Sequence, residues 1–493
     1  MTLADQRLKE LDNPLLTADE RALLRCEVAA DLILRGQYEA AREALGELWR
    51  GIGQRPNVEG LEEGTSAEVL LQVGVLSGWL GACHQIAGAQ EAAKNLISES
   101  VTLFESFGET ARVAGARGDL ALCYWREGAY DEARDLLTTA FEGVTETVVR
   151  AKLVTRLATV EFWAGRYNAS LAVLTEHAHL FDERVSHAIR GSFHNNLALV
   201  LKQLGVMEGR PDYLDRAIIE FTAAIHHQEK AGHERFRATN ENNLANLLHK
   251  LGHYRQAHDH LDRAGAILRR LNDAGLLAQI DETRASVFVA EKKYQEAERV
   301  IARAVQTLEG GGSAALFADA LATQGVTWAR LGKIEASINT LRRAVKVAED
   351  AGARSHAGLA ILTLIEEHGA RRTFPQKELY ELYRRADRLL KDAQNPETNA
   401  RQRACALIVM RRLVGIQPDD KNFTFFSAVQ EFEEKLIEWA LEEAQGSVVR
   451  AARLLGLRHQ TFSSMLNQRH KKFLETRTPR VKRLRSIIKE PKK

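Results

Sequence analysis

The chain has 493 residues, of which 45% are hydrophobic and only 6% aromatic, and its 68 Lys and Arg against 66 Asp and Glu leave a net charge of +2. This length predicts two to four domains, and abundant Ala and Leu with few aromatic residues favour helices over a β-sandwich. The four cysteines (Cys26, Cys83, Cys123 and Cys405) form no CxxC pair, which argues against zinc and redox motifs and for reduced thiols in a cytosol.

The first residues, MTLADQRLKELDNP (1–14), contain no apolar run of the kind found in signal peptides. We also find no 18-residue apolar stretch that would predict a membrane helix. We therefore expect a cytoplasmic protein that has no membrane partner.

Proline placement and a recurring pattern divide most of the chain into repeats. Between residues 57 and 374 only Pro211 occurs, so helices can run through this region nearly unbroken. Similar segments recur at 119–133, 156–170, 243–257 and 284–297, with shorter copies at 196–205 and 325–337. The shared aromatic position is occupied by Tyr38, Tyr130, Tyr167, Tyr254 and Tyr294, and by Ile334 in the last copy.

Each unit consists of a helix ending near Leu-Gly, a turn with the aromatic residue, and a second helix that starts near a small Ala. This pattern resembles the tetratricopeptide repeat (TPR), and more closely its longer-helix relatives with a period near 40. The resemblance implies an all-α fold, a right-handed TPR-like helical solenoid over residues 1–370, in which stacking buries the apolar faces. We expect a loose loop at 51–64, an insertion at 206–215 and a ninth, degenerate unit at 354–390. The eight clear units have their turns near Gly36, Gly88, Gly128, Gly165, Gly205, Gly252, Lys292 and Gly332.

Residues 371–425 separate the solenoid from the C-terminal region. A predicted helix at 397–414 follows Pro396, and the helix-breaking segment GIQPDDKN occupies 415–422. We interpret 371–425 as connecting helices, of which the one at 397–414 is a candidate dimer contact.

The stretch 426–472 has the pattern of three helices joined by tight turns. Gly446 ends the first helix, Ser447 is placed to cap the second, and Gly456 precedes the third. Helix, short helix, tight turn and third helix is the helix-turn-helix arrangement, whose last helix enters the DNA major groove. The predicted inner residues are Leu436, Ile437, Trp439, Ala440 and Leu441, then Val448, Ala451, Ala452, Leu454 and Leu455, then Phe462, Met465 and Leu466.

This stretch resembles the Fis-type helix-turn-helix domains of bacterial transcription regulators, over about a tenth of the chain. The resemblance implies a dimeric DNA-binding domain. The family often has Ser and Arg shortly before its Thr-Leu pair, whereas this chain has Arg458 and His459, so the base preference is not carried over. The matching residues are Gly446, Ser447, Ala451, Ala452, Leu455, Gly456, Leu457, Thr461, Phe462 and Leu466.

The charge distribution also points to DNA. Residues 446–493 contain 14 Lys or Arg and two acidic residues, Glu475 and Glu490, a net charge of +12, so the rest of the chain carries −10. Such a basic segment is typical of a phosphate-binding module. The alternative is a solvated basic tail that only improves solubility.

We predict base contacts from polar side chains early in the third helix and phosphate contacts from the basic residues after it. Within the basic tail at 473–493, the residues from Arg477 to Lys493 could enter a minor groove, or could be a counterion-like tail or a helix packed on the domain. The candidate DNA-binding residues are His459, Gln460, Thr461, Ser463, Ser464, Asn467, Arg469, Lys471 and Lys472, and His470 is a further candidate for a phosphate contact.

A second candidate site lies in the solenoid. Asn196 and Asn243 each stand nine residues before the Gly of their unit. Asn side chains stacked along a concave surface can hold the backbone amides of an extended peptide, although Asn also occurs there in repeats that have no known ligand. The candidate ligand groove comprises Asn196, Lys202, Arg237, Asn240, Asn243 and Asn246.

We find no phosphate-binding loop, nucleophile elbow or paired carboxylates, and the histidine spacings do not favour a metal. The sequence therefore predicts no enzyme and no cofactor. It favours a bacterial transcription regulator, cytoplasmic and nucleoid-associated, that binds double-stranded DNA as a homodimer. Its solenoid would sense a peptide, protein or small ligand, or mediate oligomerisation. The alternative is a TPR protein-interaction scaffold that its basic C-terminal end anchors to nucleic acid.

Overall fold

The computed structural model describes residues 11, 15–84, 86, 88–309, 314–371, 374–391, 395–414 and 425–474, and every regular element in these residues is a helix. Short 3₁₀ turns lie at Gly46–Leu48, Ala178–Leu180 and Lys471–Leu474. The α-helices are α1 (Ala18–Leu34), α2 (Tyr38–Leu45), α3 (Glu63–His84), α4 (Ala89–Ser106), α5 (Thr110–Arg126), α6 (Tyr130–Glu142), α7 (Thr147–Trp163), α8 (Tyr167–Glu176), α9 (His187–Glu208), α10 (Pro211–Lys230), α11 (Glu234–Lys250), α12 (Tyr254–Arg270), α13 (Ala274–Ala290), α14 (Tyr294–Glu309), α15 (Ala314–Arg330), α16 (Ile334–Asp350), α17 (Arg354–His368), α18 (Gln376–Leu389), α19 (Pro396–Val414), α20 (Phe425–Glu443), α21 (Val448–Leu454) and α22 (His459–Gln468).

Contacts divide the chain into two compact units. The first comprises Met1–Glu367 with Arg384–Gln402, and the second comprises His368–Tyr383 with Arg403–Lys493. The first unit holds the helical hairpins and the second holds α20 to α22. The domain limits predicted from the sequence, at residues 370, 425 and 472, stay predictions.

The hairpins confirm the predicted TPR-like solenoid. In the third hairpin, Gly128 adopts a left-handed conformation (φ 82°), and the N–H of Ala129 donates to the carbonyl of Tyr124 at 3.0 Å. Glycine is favoured there because it lacks the Cβ that makes a positive φ costly. Lys292 takes the same conformation in the seventh hairpin (φ 63°). The repeated tyrosine is the first residue of the second helix in five hairpins, namely α2, α6, α8, α12 and α14.

The fifth hairpin turns later than predicted. Helix α9 continues through Gly205, and Gly209 makes the turn instead (φ 63°). Pro211 then begins α10, a position that suits proline because its fixed φ is helical and its missing N–H is not needed. A Cβ at Gly205 would lie 2.6 Å from Cδ2 of Leu214, so this glycine allows a close helix approach rather than a turn. The predicted insertion is therefore an added helical turn.

The segment 51–64 was predicted to be a loose loop. It is a loop as far as Glu62, where the next helix follows at Glu63, but it is not loose. The indole N–H of Trp49 donates to the carbonyl of Gln54 at 3.2 Å, and the N–H of Glu62 donates to Oδ1 of Asp19 at 2.9 Å. The glycine content of the segment gives no indication of these contacts, which fasten it to the first hairpin.

Helix α3 contradicts the expectation that no apolar stretch could span a membrane. It contains an 18-residue window with a mean hydropathy of 1.3, and it is long enough to cross a bilayer. However, 56% of that window is buried inside the protein, and α3 packs against α1, α2, α4 and α5. A helix with neighbours on several sides needs apolar residues around its circumference, which accounts for the hydropathy.

Candidate DNA-binding surface and solenoid cavity

Helices α20, α21 and α22 close around a small apolar core. Ala451 and Ala452 are buried, and their short side chains allow α21 to approach its neighbours closely. Phe462 and Leu466 of α22 have no exposed surface, so they fix which side of α22 faces outward. The core residues are Ile437, Ala440, Leu441, Ala444, Ala451, Ala452, Phe462, Leu466 and Phe473.

Two glycine turns orient these helices as predicted. Gly446 has φ 76°, and its N–H donates to the carbonyl of Leu441 at 2.8 Å. Gly456, with φ 63°, joins α21 to α22. Ser447 occupies the N-cap of α21, but its side chain makes no capping hydrogen bond. The position of the cap is therefore confirmed, and the predicted role of its side chain is not.

The outward side of α22 carries polar residues. Ser463 is half-buried, and its Oγ lies 3.5 Å from Nε2 of His459. We name this surface the recognition face and define it by its members, of which all but Ser463 are exposed: His459, Gln460, Thr461, Ser463, Ser464 and Asn467.

Exposed basic residues lie on α21 and directly before and after α22 in the chain. Among the described residues, no carboxylate forms an ion pair with the exposed Arg450, Arg453, Arg458 or Lys471. Arg469 and Lys472 do have acidic partners: Arg469 lies 3.8 Å from Glu433, and Lys472 lies 2.5 Å from Glu434. Both side chains nevertheless remain exposed.

His470 does not fit its predicted phosphate contact. It is only 1% exposed, and its Nε2 lies 3.0 Å from Oε2 of Glu433. Its place directly after α22, where the chain turns back toward α20, buries the ring. Residues 475–493 lie outside the described residues, so the predicted tail contact stays a prediction.

Helix α20 has a second apolar stripe that points away from the core. The four residues of this stripe follow one another at intervals of three, four and three positions in the sequence, which is the spacing of a coiled-coil seam. The sequence prediction placed Leu436 and Trp439 on the inner side, and this is wrong, because Ile437, Ala440 and Leu441 fill the core. We name the exposed set the α20 stripe: Val429, Phe432, Leu436 and Trp439, each 38–49% exposed.

The first unit contains a cavity of about 490 Å³. Its lining comes from six successive hairpins, from Ala30 on α1 to Asn240 on α11. Three of the six tryptophans in the chain, Trp79, Trp125 and Trp163, contribute to the wall. This volume lies within the usual range for sites that enclose a small molecule.

The cavity is bounded where the first two hairpins meet the sixth. The rings of Trp79 and Phe236 have centroids 6.3 Å apart, and Tyr38 stacks on Trp79 at 5.3 Å. His233, just before α11, packs so close to Gly36 that a Cβ added there would lie 2.7 Å from its Cε1. The path of the solenoid therefore brings residues about 200 positions apart into contact.

Of the predicted groove residues, Asn196 and Asn240 line this cavity. Asn196 already uses its amide N–H groups, which donate to the carbonyl of Thr155 at 2.8 Å and to Oγ1 of Thr159 at 3.0 Å. Asn243 likewise donates to Oδ1 of Asn195 at 3.3 Å. These bonds join neighbouring repeats, which is a structural role for the asparagines.

The other predicted groove residues lie outside the cavity lining. Arg237 forms ion pairs with Glu229 at 3.1 Å and Glu234 at 3.4 Å. Burial, and then the nearby Lys250, lower the pKa of Lys202. Asn246 is half-buried on α11. The two cations predicted to meet a ligand carboxylate are therefore not in this cavity.

The sequence analysis missed the tryptophans, Lys152 and Arg156 of the cavity wall. The concentration of three tryptophans between residues 79 and 163 was visible in the sequence. Nothing in the repeat pattern showed that they share one surface, because that depends on the rotation from each repeat to the next.

Residues 428–464 match the family described as "Bacterial regulatory protein, Fis family". This match covers the first two helices of the helix-turn-helix and the first part of α22. No curated protein sequence matches the chain.

Solved structures with a similar helical arrangement include a Rap protein complexed with competence and sporulation factor, with a TM-score of 0.48 and 13% identity over 80% of this chain and 99% of that one. Human IFIT1, a dimer with PPP-AAAA, has a TM-score of 0.48 and 14% identity over 70% and 77%. The apo quorum sensor NprR from B. thuringiensis has a TM-score of 0.46 and 12% identity over 70% and 92%. The repeats and the family match together identify the chain as a TPR-like α-solenoid with a C-terminal helix-turn-helix of the Fis family.

Proposed function

We propose that the protein is a non-enzymatic, DNA-binding transcription regulator in which α22 contacts bases in the major groove. The observation that carries this proposal is the division of α22 into two sides. Phe462 and Leu466 anchor it in the core, while Gln460 and Ser464 face outward. Amide and hydroxyl groups pair with base edges, and a helix anchored by its core holds them in fixed positions.

Phosphate contacts complete the proposed interface. The exposed Arg450, Arg453, Arg458 and Lys471 have no acidic partner among the described residues, so their charge is available to DNA. Such contacts position a domain and supply most of the salt-dependent affinity, but they do not select sequence.

The α20 stripe supports a homodimer. Four large apolar residues stand exposed in a row with coiled-coil spacing on a 19-residue helix. A second copy of the same helix offers the matching surface, because a twofold axis places the same residues on both sides of the contact. Two DNA-binding units would then meet two half-sites about one helical turn apart.

The solenoid would sense a peptide, a protein or a small ligand and thereby alter DNA binding, in a cytoplasmic, nucleoid-associated protein. The alternative is a protein-interaction scaffold whose basic C-terminal end only anchors it to nucleic acid. The recognition face favours the regulator, since an anchor needs only phosphate contacts and would gain nothing from amides placed at base edges.

Selection of bound sequences from a random DNA library by the full chain tests the proposal. We expect a consensus of two half-sites, and no enrichment by a chain that lacks residues 426–493. In titrations on the selected site, the logarithm of affinity should fall with the logarithm of salt concentration with a slope of about −4 to −8, for roughly five to nine neutralised phosphates. Salt-dependent binding without any consensus would favour the scaffold.

A further inference from the structure

The cavity wall carries hydrogen-bond donors that the protein leaves unused. The indole N–H groups of Trp49 and Trp328, outside the cavity, donate to Gln54 at 3.2 Å and to Glu298 at 2.7 Å. By contrast, the indole N–H groups of the three cavity tryptophans have no acceptor among the described residues. Indole is a donor only, so these groups require an acceptor from a ligand or from solvent.

Lys152 adds an ammonium group to the same wall. Within the described part of the chain, no carboxylate lies within ion-pair distance of its Nζ. Burial, and then the neighbouring Arg156, lower the pKa of Lys152. An anion beside Lys152 would stabilise its protonated ammonium and so offset the effects of burial and of Arg156 on its pKa.

The other charged groups of the wall neutralise one another or add to its positive charge. Arg156 pairs with Asp119 and also donates to the carbonyl of Gly115 at 3.2 Å. The guanidinium of Arg126 lies 4.3 Å from the ring centroid of Trp79, behind the wall. Since Asp119 is already paired, the wall presents an excess of positive charge.

The wall's hydroxyl groups add no free donors, although their oxygens, like the unpaired Oε1 of Gln228, can still accept a hydrogen bond. Thr155, Thr159, Ser192 and Thr239 each donate to a backbone carbonyl of their own helix, at 2.8–3.1 Å. The oxygen of Thr159 also accepts from Asn196. The unused donors of the wall are the ammonium of Lys152 and the three indole N–H groups, which a ligand with a strong acceptor would satisfy, and the aromatic wall favours an apolar body for the rest of that ligand.

We propose that the cavity binds a small organic acid, an aromatic or branched apolar body with one carboxylate, whose oxygens meet the ammonium of Lys152 and the indole N–H groups. The apolar body lies among Trp79, Trp125 and Trp163, of which Trp163 is 56% exposed. Aromatic and aliphatic groups gain most from leaving water at such a surface. This inference rests on the proposed sensing role of the solenoid, for which it names the ligand class.

The test uses the full chain and two probes that share one ring system, naphthalene-2-carboxylate and its uncharged amide, naphthalene-2-carboxamide. Calorimetric titration should show that the acid binds about tenfold more tightly than the amide, as expected for hydrogen bonds to a charged group. Lys152→Gln should remove this preference. Trp163→Phe, which keeps a ring but loses the N–H, should reduce it.

Lys346→Gln is the matched control, because Lys346 is an exposed lysine on α16, outside the cavity. It should bind the acid as the unmodified chain does, and circular dichroism should show that all variants remain helical. Equal binding of acid and amide, or an unchanged preference in Lys152→Gln, would overturn the proposal. Acid binding that leaves DNA affinity unchanged would support the cavity ligand and contradict only the sensing role.

Discussion

Gly36 and His233 are 197 residues apart in sequence, yet a Cβ at Gly36 would lie only 2.7 Å from Cε1 of His233. Gly36 also has a positive φ of 74°, so any larger residue there meets two separate penalties. One is local to the turn, and the other arises from the contact between the first hairpin and the sixth.

Comparison of Gly36→Ala with Gly128→Ala should distinguish the cost of the left-handed backbone conformation from the cost of the contact with His233. Gly128 has a similar φ of 82°, and a Cβ added there would meet no atom within 4 Å, so its substitution should cost only the left-handed conformation, about 1–2 kcal/mol. Gly36→Ala should cost about 1–3 kcal/mol more because the new methyl group overpacks the contact with His233. Equal losses of stability in urea unfolding would show that the hairpins separate readily.

His233 should make the solenoid less stable in acid. Burial, chiefly, lowers the pKa of His233 to about 3, and the ring is 2% exposed. Because the pKa of His233 is lower in the folded chain than in the unfolded chain, the unfolded chain takes up the proton first as the pH falls. The stability that the neutral His233 ring contributes is therefore complete above pH about 6.5 and is lost as pH falls toward 3. At pH 5 the loss should be about 2 kcal/mol.

His233→Asn should remove this part of the pH dependence while keeping a capping acceptor, since Nδ1 of His233 accepts from the N–H of Phe236 at 3.3 Å. Urea unfolding at pH 7 and pH 5 measures the difference. His179→Asn, a change at an exposed histidine, should leave it unaltered. If His233→Asn loses as much stability between pH 7 and pH 5 as the unmodified chain does, His233 is not the source of this pH dependence.

The recognition face should determine sequence preference separately from overall affinity. Gln460→Ala should cost about 1–3 kcal/mol on the selected site if its amide contacts a base, and should hardly change binding to random DNA. Lys471→Ala should weaken binding to both kinds of DNA alike, because a phosphate contact has no sequence preference. Fluorescence anisotropy on matched duplexes measures both effects, and parallel losses for the two variants would refute this division.

The α20 stripe should hold the dimer together. Leu436→Glu combined with Trp439→Glu places two charges in the proposed seam, so the chain should sediment as a monomer at concentrations where the unmodified protein is dimeric. Leu454→Glu is the control, since Leu454 is an equally exposed apolar residue on α21. An unchanged sedimentation mass in the double variant would place the dimer contact elsewhere, for example at the helix predicted over 397–414.

Features that depend on residues close together in the chain could be predicted from the sequence. Turn glycines such as Gly128 and Gly446 need a positive φ whatever surrounds them, and the repeated tyrosine begins a helix in five hairpins. The alanines of α21 and Phe462 and Leu466 of α22 are buried as predicted, because helical periodicity fixes which residues share a side, whereas Leu454 was predicted to face inward and is exposed.

Contacts between distant surfaces depend on how the helices pack, and the sequence did not reveal them. Gly205 looked like a turn residue, but contact with Leu214 makes it a packing position, and Trp439 of α20 faces solvent because another side of the helix fills the core. The cavity combines side chains from six hairpins, and the rotation at each repeat interface sets where they converge. A small rotation at each interface adds up along the stack and brings residues as distant as Trp79 and Phe236 into contact. No pattern within a single repeat predicts this contact.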